Sequence, residues 1–157
     1  MISDIEPNTT AKDKENDIFW GTALWIFLHV LANKIKSDSF HIIRNELLQN
    51  IHTICNNISC NICKTHATEY LEKHNFMHIK TVNEFKIFLF IFHNSVNLKK
   101  NRELFLFENL TKYDEFKLSV VLQSILKYNY IFDTNNENEI INTLKTWFST
   151  NITYFNE

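Results

Sequence analysis

Glycine and proline are nearly missing from this chain, with one of each in 157 residues. A single glycine excludes the glycine-rich phosphate cradles, because a Rossmann fingerprint or a P-loop needs several close backbone approaches. So few turn formers also exclude sandwiches and barrels, which reverse direction at short intervals. An all-α protein remains. A surplus of positive charge is missing too: 16 Lys and Arg stand against 18 Asp and Glu, for a formal net charge of -2. Without a basic field, nucleic acid is not expected as a partner. Nor is there a long hydrophobic run. The stretch from Ile18 to Ala32 is interrupted by Gly21, Thr22 and His29 and falls short of the roughly 20 residues of a transmembrane helix. Met1 to Glu15 is polar and mixed in charge, unlike a signal peptide, so the expectation is a soluble protein on the cytosolic side. Three cysteines, Cys55, Cys60 and Cys63, are too few for a secreted disulfide scaffold. In a reducing compartment such a cluster means redox chemistry or metal.

What the chain does have is Asn, Ile, Lys and Phe in excess, which reads as coding bias from an AT-rich genome. Residues 1–16 carry the only proline and a run of charges, and are expected to form a flexible arm. Trp25, Leu28, His29 and Ala32 share one face of a first helix from about Asp17 to Lys34. Ser37, Asp38 and Ser39 offer N-caps for a second, from Phe40 to Asn56. A third starts at the cysteine pair and ends near His74. Thr81 and Glu84 form a capping box before a fourth, whose apolar stripe is Phe85, Phe88, Leu89, Phe92 and Val96. Beyond Asn101 the chain turns to a short apolar run, Leu104 to Phe107, a helix from about Asp114 to Tyr130, a polar break, and a last helix to about Tyr154. Residues 104–157 contain no Cys or His and read as a helical C-terminal extension, either packing material or a surface for a partner such as a membrane or capsid protein.

Three groups of residues can do chemistry. In Cys60-Asn-Ile-Cys63 the spacing across a helix start brings two sulfurs within disulfide reach, and the positive helix end favours a thiolate at the first. Metal competes: Cys55, Cys60, Cys63 and His66 are four possible zinc ligands, as in a zinc-stabilised interaction module. However, they lie within twelve positions, and structural zinc sites are usually split by a longer loop. His93, Val96, Asn97 and Lys100 share a helical face that offers a ring, an aliphatic surface, an amide and a cation. That set suits a nucleotide, and equally an ordinary basic helix C-terminus. Trp25 with His29 is either a wall for a flat ligand or core packing.

Taken in order, Gly21-Thr22-Ala23-Leu24-Trp25-Ile26-Phe27-Leu28-His29, then Cys60-Asn-Ile-Cys63, then His93-Asn94-Ser95-Val96-Asn97 resemble the Erv/ALR family of FAD-linked sulfhydryl oxidases. The resemblance covers roughly Asp17 to Arg102, and puts an oxidase domain at residues 17–103. It implies a four-helix bundle with a short fifth helix, holding FAD non-covalently. Trp25 and His29 would line the flavin, with Gly21 and Thr22 at its edge. His93 would stack on the adenine, and Asn94, Val96, Asn97 and Lys100 would hold the rest of the nucleotide, with Lys99 as a possible helper. No metal is implied. A homodimer through the first two helices is.

The implied chemistry is thiol oxidation. A protein dithiol attacks Cys60, Cys63 leaves as a thiolate towards the flavin, and the electrons pass to O2, giving H2O2. The chain departs from the family pattern at three places. Phe90 stands where many members have a cysteine, Ile58-Ser59 replaces the aromatic–proline pair before the CxxC, and there is no second, shuttling CxxC. This reduced form looks like those of large cytoplasmic DNA viruses, which implies work in the host cytoplasm or virion. A mitochondrial intermembrane-space version is the alternative.

Overall fold

The computed structural model describes residues 11–127, 132 and 137–157, with side chains from Gly21 onward except at 137. Among the described residues six α-helices follow one another: α1 (Ala11–Lys34), α2 (Phe40–Asn56), α3 (Asn61–Lys73), α4 (Val82–Lys99), α5 (Leu118–Lys127) and α6 (Glu137–Asn151). Short 3-10 segments lie at Phe76–His78, Phe107–Glu115 and Ile152–Tyr154. Among the described residues there is no strand, only two isolated bridges, Ile35 with Phe155 and Ile58 with Phe132. The all-α reading holds. No helix among the described residues is long and apolar enough to cross a membrane.

α2 has the expected bounds, though Ser39 caps it differently: its hydroxyl donates to Asp38 Oδ1 at 3.1 Å and makes no bond to the helix. The capping box of α4 forms one residue out of register. Thr81 Oγ1 accepts from the Glu84 amide at 3.1 Å, while the Glu84 carboxylate accepts from Lys80 N at 2.7 Å instead of from Thr81. Asparagine does glycine's work where helices end. Asn75 and Asn101, just past α3 and α4, have φ of 54° and 53°, the left-handed conformation that Asn tolerates better than other non-glycine residues. Arg44 of α2 then fastens the α3–α4 turn, donating to the Ile79 and Met77 carbonyls at 2.6 and 2.7 Å. Phe90 lies edge-to-face on Phe107 at 5.3 Å, so an aromatic contact ties the segment after α4 back to that helix.

Two elements differ from expectation. α1 begins at Ala11 rather than Asp17, so residues 11–16 are helical, while residues 1–10 of the expected arm lie outside the described residues. The helix expected from Asp114 to Tyr130 is a 3-10 segment followed by α5; its expected end, residues 128–130, lies outside the described residues. An α-helix starting at Asp114 would give that residue's carbonyl to the amide at 118. Instead Lys34 Nζ donates to it at 3.0 Å, and Asn33 donates to the Asp114 carboxylate. The anchor to α1 takes the acceptor the helix needs.

The core is organised round α1, where six consecutive residues, Phe27 to Ala32, are all buried. Six positions run well past a full turn, so the helix is covered on every side. α4 and the Phe107–Glu115 segment pack on it, and so does α5. Phe148 of α6 meets Phe27 edge-to-face at 6.0 Å. α2 packs on α3 and α6, and Thr68 Oγ1 donates to Asn56 Oδ1 at 2.8 Å across the first of these contacts. Helices of the same chain thus lie on both α1 and α2, the pair on which the resemblance implies a homodimer.

Phe85 is fully buried, whereas Ile91 on the same helix is 52% exposed. In urea denaturation, Phe85→Ala is expected to cost about 3–5 kcal/mol and Ile91→Ala less than about 0.5 kcal/mol; similar losses would contradict the packing.

Candidate active site

Cys60 occupies the N-cap of α3, where its sulfur accepts from the Cys63 amide at 3.3 Å. The two cysteines form a disulfide, with a Cα–Cα distance of 5.3 Å. The pair sits on the unpaired amides and positive end of α3, which favours negative charge on sulfur. Its sulfurs are not equivalent. Cys63 borders a cleft of about 270 Å³ and Cys60 does not. Leu24, Trp25, Leu28, Phe92 and Val96 give the cleft an apolar surface, and Lys99, Lys100 and Arg102 add positive charge. Lys100 Nζ lies 3.9 Å from Cys63 Sγ. Gly21 also borders the cleft, and a Cβ there would meet nothing within 4 Å.

A second cavity, about 350 Å³, is lined by Thr22, Trp25, His93, Phe105, Lys112 and Tyr113 among others. Trp25 and Arg102 border both hollows. His93 lies flat on Trp25, with centroids 4.2 Å apart and planes 6° from parallel. Its Nδ1 shares a hydrogen bond of 2.9 Å with His29 Nε2. His29 in turn stacks on Tyr113 at 4.8 Å and borders neither hollow. It stands behind His93, whereas the resemblance places it against the flavin. Burial, and then the neighbouring His93 and Lys112, lowers the His29 pKa to about 3. Burial, with Lys112 and Arg102, lowers that of His93 to about 4. Both rings are neutral near pH 7.

Asn94 and Asn97 face inward to the chain. The Asn94 amide donates to the Phe105 carbonyl and accepts from its N–H, both at 2.8 Å. Asn97 is buried and donates to Asn94 Oδ1 at 3.4 Å. This pair holds Phe105 beside His93, with ring centroids 6.0 Å apart. Cys55 lies under the cleft, wholly buried, and burial pushes its thiol up to about 12. His66 borders the cleft, its pKa lowered by burial and the nearby Lys99. The geometry of the described residues does not favour the zinc reading. Two of its four ligands are bonded to each other, and among the described residues no three His, Cys, Asp or Glu side chains are placed to hold a metal.

Sequence reasoning leaves open whether Tyr113 contacts a cofactor and does not single out Phe92, Arg102, Phe105 or Lys112, all of which border the two hollows. Arg102 had a signal, since it extends the basic run of Lys99 and Lys100. Phe105 had none, because an aromatic in an apolar stretch reads as packing. Lys112 lies 4.6 Å from the Phe105 ring centroid, within cation–π range.

The neutral histidines carry a pH consequence. In the unfolded chain both take up protons near pH 6.5, while in the folded chain they resist until about 4 and 3. The unfolded state therefore binds more protons below pH 6.5, and stability falls as pH falls through that window. The His29→Gln, His93→Gln double variant is expected to lose less stability than the parent between pH 7 and 4.5 in urea titrations. Equal losses would contradict this account.

Comparison with known proteins bears on the same residues. A sequence model described as the Erv1 / Alr family matches residues 22–116, from the Trp25 helix through the segment that carries Tyr113. A protein of African swine fever virus named "FAD-linked sulfhydryl oxidase" is 29% identical over 110 residues, covering 70% of this chain and 86% of the relative. A counterpart from another isolate is 28% identical over 109 residues, 69% and 85% of the two chains. A fowlpox virus protein named "Probable FAD-linked sulfhydryl oxidase" is 25% identical over 84 residues, 54% and 84% of the two. The family match spans more than half of the sequence and takes in both sulfurs, the histidine pair, the second hollow and all of the first but Gly21, and the chain belongs to the Erv1/Alr family.

Proposed function

We propose that this chain is an FAD-linked sulfhydryl oxidase that makes disulfide bonds in protein substrates. The observation that carries the reading is the Cys60–Cys63 disulfide at the start of α3, with only Cys63 opening on an apolar, cation-bordered cleft. That inequality separates the two sulfurs into roles. A substrate thiolate attacks Cys60 Sγ, the S–S bond breaks, and Cys63 leaves as a thiolate beside the Lys100 ammonium. A second substrate thiolate then attacks the substrate sulfur of the mixed disulfide, releasing oxidised substrate and Cys60. A nearby cation makes Cys63 a better leaving group, because exchange runs faster as the departing thiol becomes more acidic.

The residues present fit FAD. The apolar cleft suits a flat ring system against Cys63, bordered by Gly21, Trp25, Leu28, Phe92 and Val96. Lys99, Lys100 and Arg102 supply charge for the pyrophosphate. His93, Phe105 and Tyr113, with Thr22 at the border, supply aromatic surface for the adenine. Trp25 and Arg102, shared by both hollows, suit a ligand that runs from one to the other. Bound FAD supplies a two-electron acceptor for the reduced cysteine pair and a route to O2, giving H2O2. Asn94 and Asn97 contribute by holding Phe105, and His29 by holding His93. The reported relatives are viral, which supports work in the cytoplasm of an infected cell or in the virion, on protein thiols that reach Cys60 directly or through a relay protein.

The purified protein is expected to show the visible absorption of oxidised flavin and to consume oxygen with dithiothreitol. Cys60→Ser and Cys63→Ser should each reduce turnover to background with flavin retained, while Cys55→Ala remains active. A colourless protein that does not take up FAD would overturn the proposal. Lys100 is tested apart from turnover. In reduced Cys60→Ser protein, Lys100→Met is expected to slow alkylation of Cys63 at neutral pH by roughly tenfold, and Lys100→Arg to restore it. Unchanged alkylation would remove Lys100 from the mechanism.

A further inference from the structure

We infer that the start of α3, from Ser59 to Lys64, is a docking strip for the substrate chain, and that it selects cysteines flanked by acidic and apolar side chains. This deepens the proposed function and rests on it. Reach imposes the first constraint. Cys63 borders the cleft and Cys60 does not, so a substrate sulfur comes to Cys60 from outside. The incoming polypeptide then lies across the residues around that sulfur, where Ser59, Asn61 and Ile62 are exposed.

Ile62 supplies the apolar half. It stands between the two cysteines at the lip of the cleft and is 64% exposed. Single exposed aliphatic residues are ordinary on protein surfaces. This one, however, lies inside the redox pair, where every exchange brings another chain against it. A substrate side chain that covers it removes apolar surface from water on both partners.

Charge supplies the other half. From Ile51 to Thr68 the sequence contains no Asp, Glu or Arg, and Lys64 is its one lysine. The Lys64 amide donates to the Cys60 carbonyl at 2.8 Å, which sets Lys64 one turn along the helix from Cys60 and on the same face. Beyond it stand the cations of the cleft, Lys99, Lys100 and Arg102. Lys64 itself does not border the cleft, so its charge still faces outward when those cations meet a pyrophosphate. The first turn of α3 has no acid to oppose this, and the positive helix end adds to it. In a chain of net charge -2, the redox mouth is thus locally cationic. Such a field draws acidic segments in and turns basic ones away, mainly through the rate of encounter. Acidic neighbours also hold a substrate thiol protonated, and the cations around Cys60 offset that effect once the two chains meet.

Oxygen uptake by the holoenzyme tests this with peptide dithiols that are identical except at the flanks, Asp or Lys on one side and Leu or Ser on the other. Each kcat/KM is divided by the same peptide's rate with an uncharged small disulfide, which corrects for thiol acidity. Asp peptides are expected to exceed Lys peptides by about tenfold at low salt, with the gap closing at high salt. Leu peptides are expected to exceed Ser peptides by about threefold. Lys64→Glu should lower the first ratio to roughly twofold, and Ile62→Ser should erase the second. Ratios are taken within one preparation, so partial loss of flavin or of folded protein leaves them unchanged. If a variant does not fold, the ratios of the parent and their salt dependence decide. A ratio near one for either pair, or a ratio that its own substitution leaves intact, overturns the inference. Dithiothreitol separates the two levels. Uptake with dithiothreitol and a flat peptide series overturns the docking strip alone, whereas no uptake with either overturns the proposed activity and the strip with it.

Discussion

A helical stretch that is buried around its circumference cannot rest on a surface; other elements have to be built around it, and in this chain that stretch is Phe27 to Ala32 of α1. Each neighbouring element answers part of that demand. The wrapping also fixes the site. Trp25, two residues before the buried stretch, comes to lie between two hollows, and His29 is driven inside, where it meets His93 and Tyr113. The 3-10 segment is bent from the expected helix because α1 claims the Asp114 carbonyl. The same bend brings Tyr113 and Lys112 to the edge of the second hollow.

The chemistry depends on a contrast between neighbours. Cys60 and Cys63 are three residues apart on one helix start, yet one is bonded by a helix amide and the other borders a cleft with a cation at hand. A helix N-terminus alone would favour charge on either sulfur. The cleft and Lys100 distinguish them, and the direction of electron flow proposed above rests on that difference. Around them the histidine pair contributes through neutrality: flat, uncharged rings hold their stack in a buried setting where a charged ring would be costly.

Much of this was legible in the sequence where one residue pattern had one meaning. α2 followed from apolar spacing, α4 from apolar spacing and its Thr81 cap, and the CxxC from its position at a helix start. Other parts were hidden for physical reasons. Residues 11–16 are polar helix formers with no apolar stripe, so they read as an arm, though extending an existing helix is far easier than starting one. The bend at Asp114 depends on Lys34, eighty positions away, a distance that no local pattern spans. Asn94 looked like a ligand contact by its place in His93-Asn94-Ser95-Val96-Asn97. Its use as a brace for Phe105 depends on a loop whose course periodicity does not show.

Cys55 remains, a third sulfur beneath the cleft that Cys63 borders. Such a neighbour ordinarily opens a side route, in which the wrong two sulfurs pair and the working couple is scrambled. Exchange needs a thiolate, and a group held protonated up to about 12 has almost none to offer. On the proposed reading, burial keeps out of that exchange a residue whose chemistry, nearer to water, would interfere with it.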